Sequence, residues 1–89
     1  MSFGPEDVPS LAARTRLRHD AARDTDVLLY PEGVLVLNGS AGAILAECDG
    51  KRNVAEISAI LSQHFGGIDV MADVIILLER LETKGLVVK

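Results

Sequence analysis

The chain has 89 residues, of which 48% are hydrophobic, and a formal net charge of −4. This length suits one domain with a modest core, and the acidic balance disfavours binding to phosphate backbones. A single cysteine allows no internal disulfide. No apolar run has the length of a membrane span, and the first residues lack the features of a signal peptide. We therefore expect a cytoplasmic protein with no membrane partner.

The first half of the chain predicts strands. Residues 1–15 contain two prolines and a glycine without a clean hydrophobic period, and we expect an irregular N-terminal arm there. Residues 17–20 and 27–30 are candidate strands. The tripeptide 31–33, Pro-Glu-Gly, predicts a tight turn, and the apolar run 34–37 follows at once. Together the last two runs predict a β-hairpin.

Beyond the hairpin the hydrophobic period changes from two to about 3.6 residues, which indicates helices. Asn38 or Ser40 is expected to cap a first, short helix. Asn53 followed by Glu56 has the spacing of a capping box and predicts the start of a second helix. The glycine pair 66–67 is expected to end it.

The third helix is predicted to be the longest. Asp69 is expected to cap it, and it should run to about Lys84 with Gly85 as its left-handed terminator. Residues 86–88 predict a further short strand. The resulting fold class is α+β, a winged helix-turn-helix-like domain in which a small three-stranded antiparallel sheet precedes three helices.

The sequence offers little for catalysis. His19 and His64 are far apart and lack the spacing of metal ligands. Cys48 falls on the apolar face of the first helix, which is typical of a small core residue, and no base lies near it in the sequence. We expect neither an enzyme nor a metal site.

The third helix carries more apolar residues than core packing requires. Its main apolar stripe, at about 100° per residue, consists of Val70, Val74, Leu77 and Leu81. Met71, Ile75 and Leu78 widen the apolar arc to roughly 160°. This helix alone supports two interpretations about equally: either the helix is buried on two sides, or the additional apolar residues line a groove.

The strand that ends the hairpin favours the groove. It is apolar on both faces, whereas a small sheet with one solvated face should alternate, and it has no charge or proline to protect an edge. An apolar edge beside such a helix is suited to capturing a peptide by strand addition. The candidate binding residues are Val34, Leu35, Val36 and Leu37 on the strand and Met71, Val74, Ile75 and Leu78 on the helix.

Two other functions use the same surfaces. An edge strand can also pair with a second copy, which makes a homodimer an alternative. A DNA-binding winged helix is disfavoured, because the third helix begins with acidic and apolar residues between Asp69 and Asp73 rather than with cations. The cluster Arg14, Arg16, Arg18 and Arg23 either solvates the domain or docks an acidic partner.

The sequence resembles one known family. The resemblance rests on the segments Leu28-Leu29-Tyr30-Pro31-Glu32-Gly33, Leu37-Asn38, Ala41, Ile44-Leu45 and Cys48-Asp49-Gly50. In these segments the sequence resembles the family of the pyrroloquinoline quinone biosynthesis protein PqqD. Arg16-Leu17-Arg18, the Val54 to Ile57 spacing, and Asp73-Val74 with Leu78, Leu81 and Gly85 fit as well. The resemblance covers roughly residues 16–87.

The resemblance implies a peptide chaperone in cofactor biosynthesis. Members of this family bind the ribosomally made precursor peptide PqqA and present it to the radical S-adenosylmethionine enzyme PqqE. It further implies that residues 16–89 form one peptide-recognition domain, in which the peptide adds to the strand 34–37 and packs against the third helix. The iron–sulfur cluster would belong to the partner enzyme, so no cofactor is expected on this chain.

Overall fold

The computed structural model describes residues 3–89 as an α+β domain in which strands precede helices. The antiparallel sheet β2-β3-β4 and three helices confirm the expected fold class. A second, two-stranded sheet pairs β1 with β5. The elements are β1 Ser10–Leu11, β2 Arg16–Asp20, β3 Thr25–Tyr30, β4 Gly33–Leu37, α1 Ala41–Ala46, α2 Val54–His64, α3 Met71–Thr83 and β5 Val87–Val88.

The hairpin of β3 and β4 closes more tightly than the sequence suggested. Gly33 already pairs with Tyr30, so the turn consists of Pro31 and Glu32 alone. The expected three-residue turn is therefore wrong by one residue. This matters because the turn sets the register, and the register decides which groups of β4 point away from β3.

Of the three helices that the structure describes, only α2 begins with the side-chain cap that the sequence predicts. Asn53 and Glu56 form the predicted capping box, with both side chain-to-backbone hydrogen bonds at 2.8 Å. Neither predicted residue caps α1 through its side chain, since α1 begins after Ser40 without such a bond. Asp69 lies one residue too early to cap α3, which begins after Val70; its carboxylate accepts from the Met71 N–H at 3.0 Å.

The end of α3 has the predicted glycine terminator. Gly85 adopts a positive φ of 77°, which a residue with a Cβ disfavours. The Leu86 N–H donates to the Leu81 carbonyl and the Gly85 N–H to that of Glu82, both at 2.9 Å. These two bonds form a Schellman motif, and they direct the chain back along α3 into β5.

The sequence predicts an irregular arm over residues 1–15. Residues 3–15, the described part of this segment, are attached to the domain. Phe3 is buried in the core. The carbonyls of Asp7 and Pro5 accept from the first two N–H groups of α2, Val54 at 2.9 Å and Ala55 at 3.0 Å. These N–H groups have no partner within a helix. The segment thus completes the start of α2, and β1 holds β5 by strand pairing.

The core is aliphatic and lies between the three-stranded sheet and the helices. Its fully buried side chains include Leu28 from β3, Val54 and Ile57 from α2, and Val74 and Leu78 from α3. Cys48 is buried as well, as its place among apolar residues predicted. None of the helices in residues 3–89 combines the length and the apolar character needed to cross a membrane.

Candidate functional site

The strand β4 lies at an edge of the sheet. It pairs with β3 on one side only, and no other strand that the structure describes pairs with its opposite side. Because a two-residue turn makes Tyr30 and Gly33 a mutually hydrogen-bonded pair, bonding to β3 then alternates along β4. Leu35 and Leu37 therefore bond to β3, whereas the N–H and C=O groups of Val34 and Val36 point to the free edge.

A groove runs between this edge and α3. Its first cavity, about 280 Å³, is lined by Leu35, Val36, Leu37, Asn38, Ala41, Leu77, Arg80, Leu81 and Lys84. A second cavity of about 370 Å³ continues it past the β4–α1 connection and shares Leu77 and Arg80. Ile76, which is 55% exposed, and Asp73 lie along this second part. The groove therefore has an apolar floor, a backbone edge on one side and a helix on the other.

The structure divides the four strand residues between two faces of the sheet. Leu37 is buried and Leu35 is half-buried, and both face the helices. Val34 and Val36 are 57% and 51% exposed and point to the opposite face. The strand is thus apolar on both faces, and three of its four residues line the first cavity.

The four helix residues lie away from the groove. Val74 and Leu78 are completely buried in the core, and Met71 lines a separate pocket against α2. Ile75 and Leu77 are two residues apart, about 200° around the helix axis, so they lie on opposite sides of the buried stripe. Since Leu77 faces β4, Ile75 belongs to the other side.

Three residues on or just after α3 that were not among the predicted binding residues line the groove: Leu77, Arg80 and the C-cap residue Lys84. Their spacing of three and four places them on one side of the helix. Neither Arg80 nor Lys84 makes an ion pair with any residue from 3 to 89. One end of the groove is therefore cationic, and Asp73 lies toward the other end.

The titratable groups outside the groove do not form a reactive site. Burial raises the pKa of Cys48 to about 12, so its thiol is protonated at neutral pH. His19 lies on β2, the opposite edge strand. The Asp26 carboxylate accepts a 2.9 Å hydrogen bond from the Nδ1 of His19, which raises the pKa of His19. Within residues 3–89 no three His, Cys, Asp or Glu side chains are grouped as metal ligands would be.

An open strand edge beside an apolar groove with two cations can hold an extended chain by noncovalent contacts. The fold and the site thus define a small binding domain of strands followed by helices. Comparison with known proteins gives the family. The chain belongs to the family described as Coenzyme PQQ synthesis protein D (PqqD), whose model matches residues 27–87.

Similar proteins carry names that describe binding. The PqqA binding protein of Pseudomonas entomophila is 44% identical over 73 residues, which cover 82% of this chain and 80% of that protein. The PqqA binding protein of Azotobacter vinelandii is 43% identical over 74 residues, with the same coverage of both chains.

Two solved structures share the fold. The solution structure of the PqqD part of Methylobacterium extorquens PqqCD superimposes with a TM-score of 0.87 at 34% identity, covering 99% of this chain and 96% of that one. It is described as a functional, stand-alone recognition element for ribosomally synthesized and post-translationally modified peptides. The crystal structure of PqqD from Xanthomonas campestris gives a TM-score of 0.58 at 36% identity, covering 96% and 97%.

Proposed function

We propose that this chain binds the precursor peptide PqqA by strand addition to β4 and presents it to the radical S-adenosylmethionine enzyme PqqE, in the cytoplasm. The observation that carries the proposal is the free edge of β4 beside the groove of α3. The relatives named for PqqA binding supply the identity of the peptide, and the resemblance to the PqqD family supplies the enzyme.

In this arrangement the backbone supplies most of the affinity. The N–H and C=O groups of Val34 and Val36 would pair with an antiparallel or parallel strand, and each bond is worth about 0.5–1.5 kcal/mol net. Burying these groups without partners would be unfavourable, so a peptide that pairs with all of them is favoured over one that merely covers the edge.

The side chains supply the selectivity. Alternate residues of the added strand would enter the groove and contact Leu35 and Leu77. Arg80 and Lys84 would favour a carboxylate of the peptide near their end of the groove. Val74 and Leu78 would support the groove from the core, and Met71 and Ile75 would stabilise α3 against α2, so these four predicted residues act indirectly.

A titration of the ¹⁵N-labelled protein with synthetic PqqA tests the site. We expect saturable shifts of the amides of residues 34–37 and of Leu77, Arg80 and Lys84. The amides of Met71 and Ile75, on the other side of α3, serve as an internal control and should move less. Saturable binding with shifts confined to other parts of the protein would refute the assignment of the site.

A homodimer through β4 is the second candidate function, because the same free edge and the exposed side chains of Val34 and Val36 suit a second copy. Sedimentation over a concentration series separates the two candidates. Peptide binding predicts a monomer that binds one peptide, whereas a tight dimer that excludes the peptide would favour self-association.

A further inference from the structure

The face of the sheet β2-β3-β4 that points away from the helices is apolar over two of its three strands. Leu17, Leu28 and Leu35 are paired across the sheet and pack toward the core. Because side chains alternate along a strand, their neighbours form the opposite face. Two rows of this outer face span all three strands, Arg16–Leu29–Val34 and Arg18–Val27–Val36, and the pair Asp20–Thr25 follows on β2 and β3.

This face is partly exposed to solvent. Val34 and Val36 are more than half exposed, and Val27 and Leu29 are half-buried beside them. The exposed face of an antiparallel sheet is ordinarily polar, yet β3 and β4 contribute four aliphatic side chains to it. An apolar patch of this kind on a small protein marks an interaction surface.

The charged side chains that lie next to the apolar patch on the outer face are all positive. Arg16 and Arg18 are exposed, and neither makes an ion pair with residues 3–89. Asp20, at the far end of β2, is already engaged: its carboxylate accepts from the N–H groups of Ala22 and Arg23. The chain as a whole has a net negative charge, so this face differs from the whole chain in being both cationic and apolar.

We propose that the outer face docks a protein whose contact surface places carboxylates next to apolar side chains, and that this protein is the enzyme that modifies the peptide. The enzyme's identity rests on the function proposed above. A peptide strand added to β4 would extend the outer face by one strand, so the docked enzyme would contact both carrier and peptide. A second copy fits less well, because a twofold interface would bring arginines of like charge together.

Charge reversal on the outer face tests the proposal. Arg18→Glu alters the centre of the face, and Arg23→Glu is the matched control, since it makes the same change of charge in the turn beyond β2. Two affinities are measured by calorimetry: that of the full chain for synthetic PqqA, and that of the peptide-loaded chain for purified PqqE. We expect Arg18→Glu to bind the peptide within about twofold of the unaltered protein and the enzyme at least about tenfold more weakly.

An uncharged variant provides an independent readout. Val27→Thr keeps the shape and strand preference of the side chain but places a hydroxyl on the apolar patch, and it should also weaken enzyme binding while the peptide affinity stays the same. Amide spectra confirm that each variant is folded. Equal enzyme affinity of the Arg18→Glu and Arg23→Glu proteins would overturn the proposal, as would a dimer that Val27→Thr dissociates.

The two proposals fail in different ways. If the unaltered chain does not bind PqqA, the proposed function fails, and the enzyme titration of the peptide-free chain still tests the outer face. If the peptide binds and the Arg18→Glu protein engages the enzyme as the control does, only the outer face is refuted.

Discussion

Replacing Val36 by proline removes one N–H from the free edge of β4 and leaves the pairing with β3 intact. Val36 lies opposite Val27, at a position whose backbone groups point away from β3, and proline is tolerated at such positions of edge strands. The lost bond and the peptide carbonyl left without a partner together cost about 1–3 kcal/mol. We therefore expect the dissociation constant for PqqA to rise about 5- to 150-fold.

Two matched variants make this result interpretable. Val36→Ala keeps the N–H and removes a side chain that is already 51% exposed, so its affinity should change by only about twofold. Leu35→Pro, one residue away, removes a bond of the hairpin to Leu28 and should lower the urea midpoint of unfolding strongly. Calorimetry gives the affinities and circular dichroism the stabilities. A folded Val36→Pro protein with unchanged affinity would refute strand addition at this edge.

Three further predictions concern charge, capping and pH. The double variant Arg80→Gln/Lys84→Gln should bind PqqA a few-fold more weakly at low salt and equally at 1 M salt, because exposed ion pairs contribute about 0.2–1 kcal/mol each and are screened. Asn53→Ala should lower the free energy of unfolding in urea by about 1 kcal/mol, because α2 loses its capping box. An NMR titration should give His19 a raised pKa that Asp26→Asn lowers; the stabilisation is present below the unfolded pKa of about 6.5 and is lost as pH rises through the higher folded pKa.

The features that the sequence predicted well depend on residues close together in the chain. The hairpin of β3 and β4, the capping box of Asn53 and Glu56, and the termination of α3 at Gly85 each depend on a few neighbouring residues. Local chemistry is sufficient for such features. The turn of the hairpin was one residue too long in the prediction because a glycine can end a turn or begin a strand.

The attachment of residues 3–15 could not be predicted in this way. The segment is held by the bond from the Val54 N–H to the Asp7 carbonyl and by the pairing of Ser10 with Val88. Both contacts join backbone groups that are far apart in the chain. Because nearly every residue type has the same backbone groups, the sequence does not indicate which of them pair. The segment lacks a hydrophobic period, which predicts an irregular conformation but does not predict which residues the segment contacts.

The groove side of α3 shows the same limit more sharply. Helical periodicity predicted an arc wider than the core needs, and the structure does contain half-buried apolar residues on both sides of the buried stripe. Which side faces β4 depends on how α3 lies across the sheet, and the sequence has no signal for that. Counting apolar residues favoured Met71 and Ile75, whereas the side that lines the groove carries Leu77 with two cations.

The position of β4 gives the two proposed interfaces a common consequence for the peptide. A strand added to its edge alternates, so every second peptide side chain would enter the groove beside Leu77, and the others would join the outer face beside Val34 and Val36. Residues of PqqA that determine its affinity for this chain should therefore recur at every second position. The residues between them should affect only the binding of the enzyme to the peptide-loaded chain. Replacing single peptide residues by alanine and measuring affinity for this chain tests the pattern: effects of equal size at consecutive positions would contradict strand addition, even if the peptide binds in the groove.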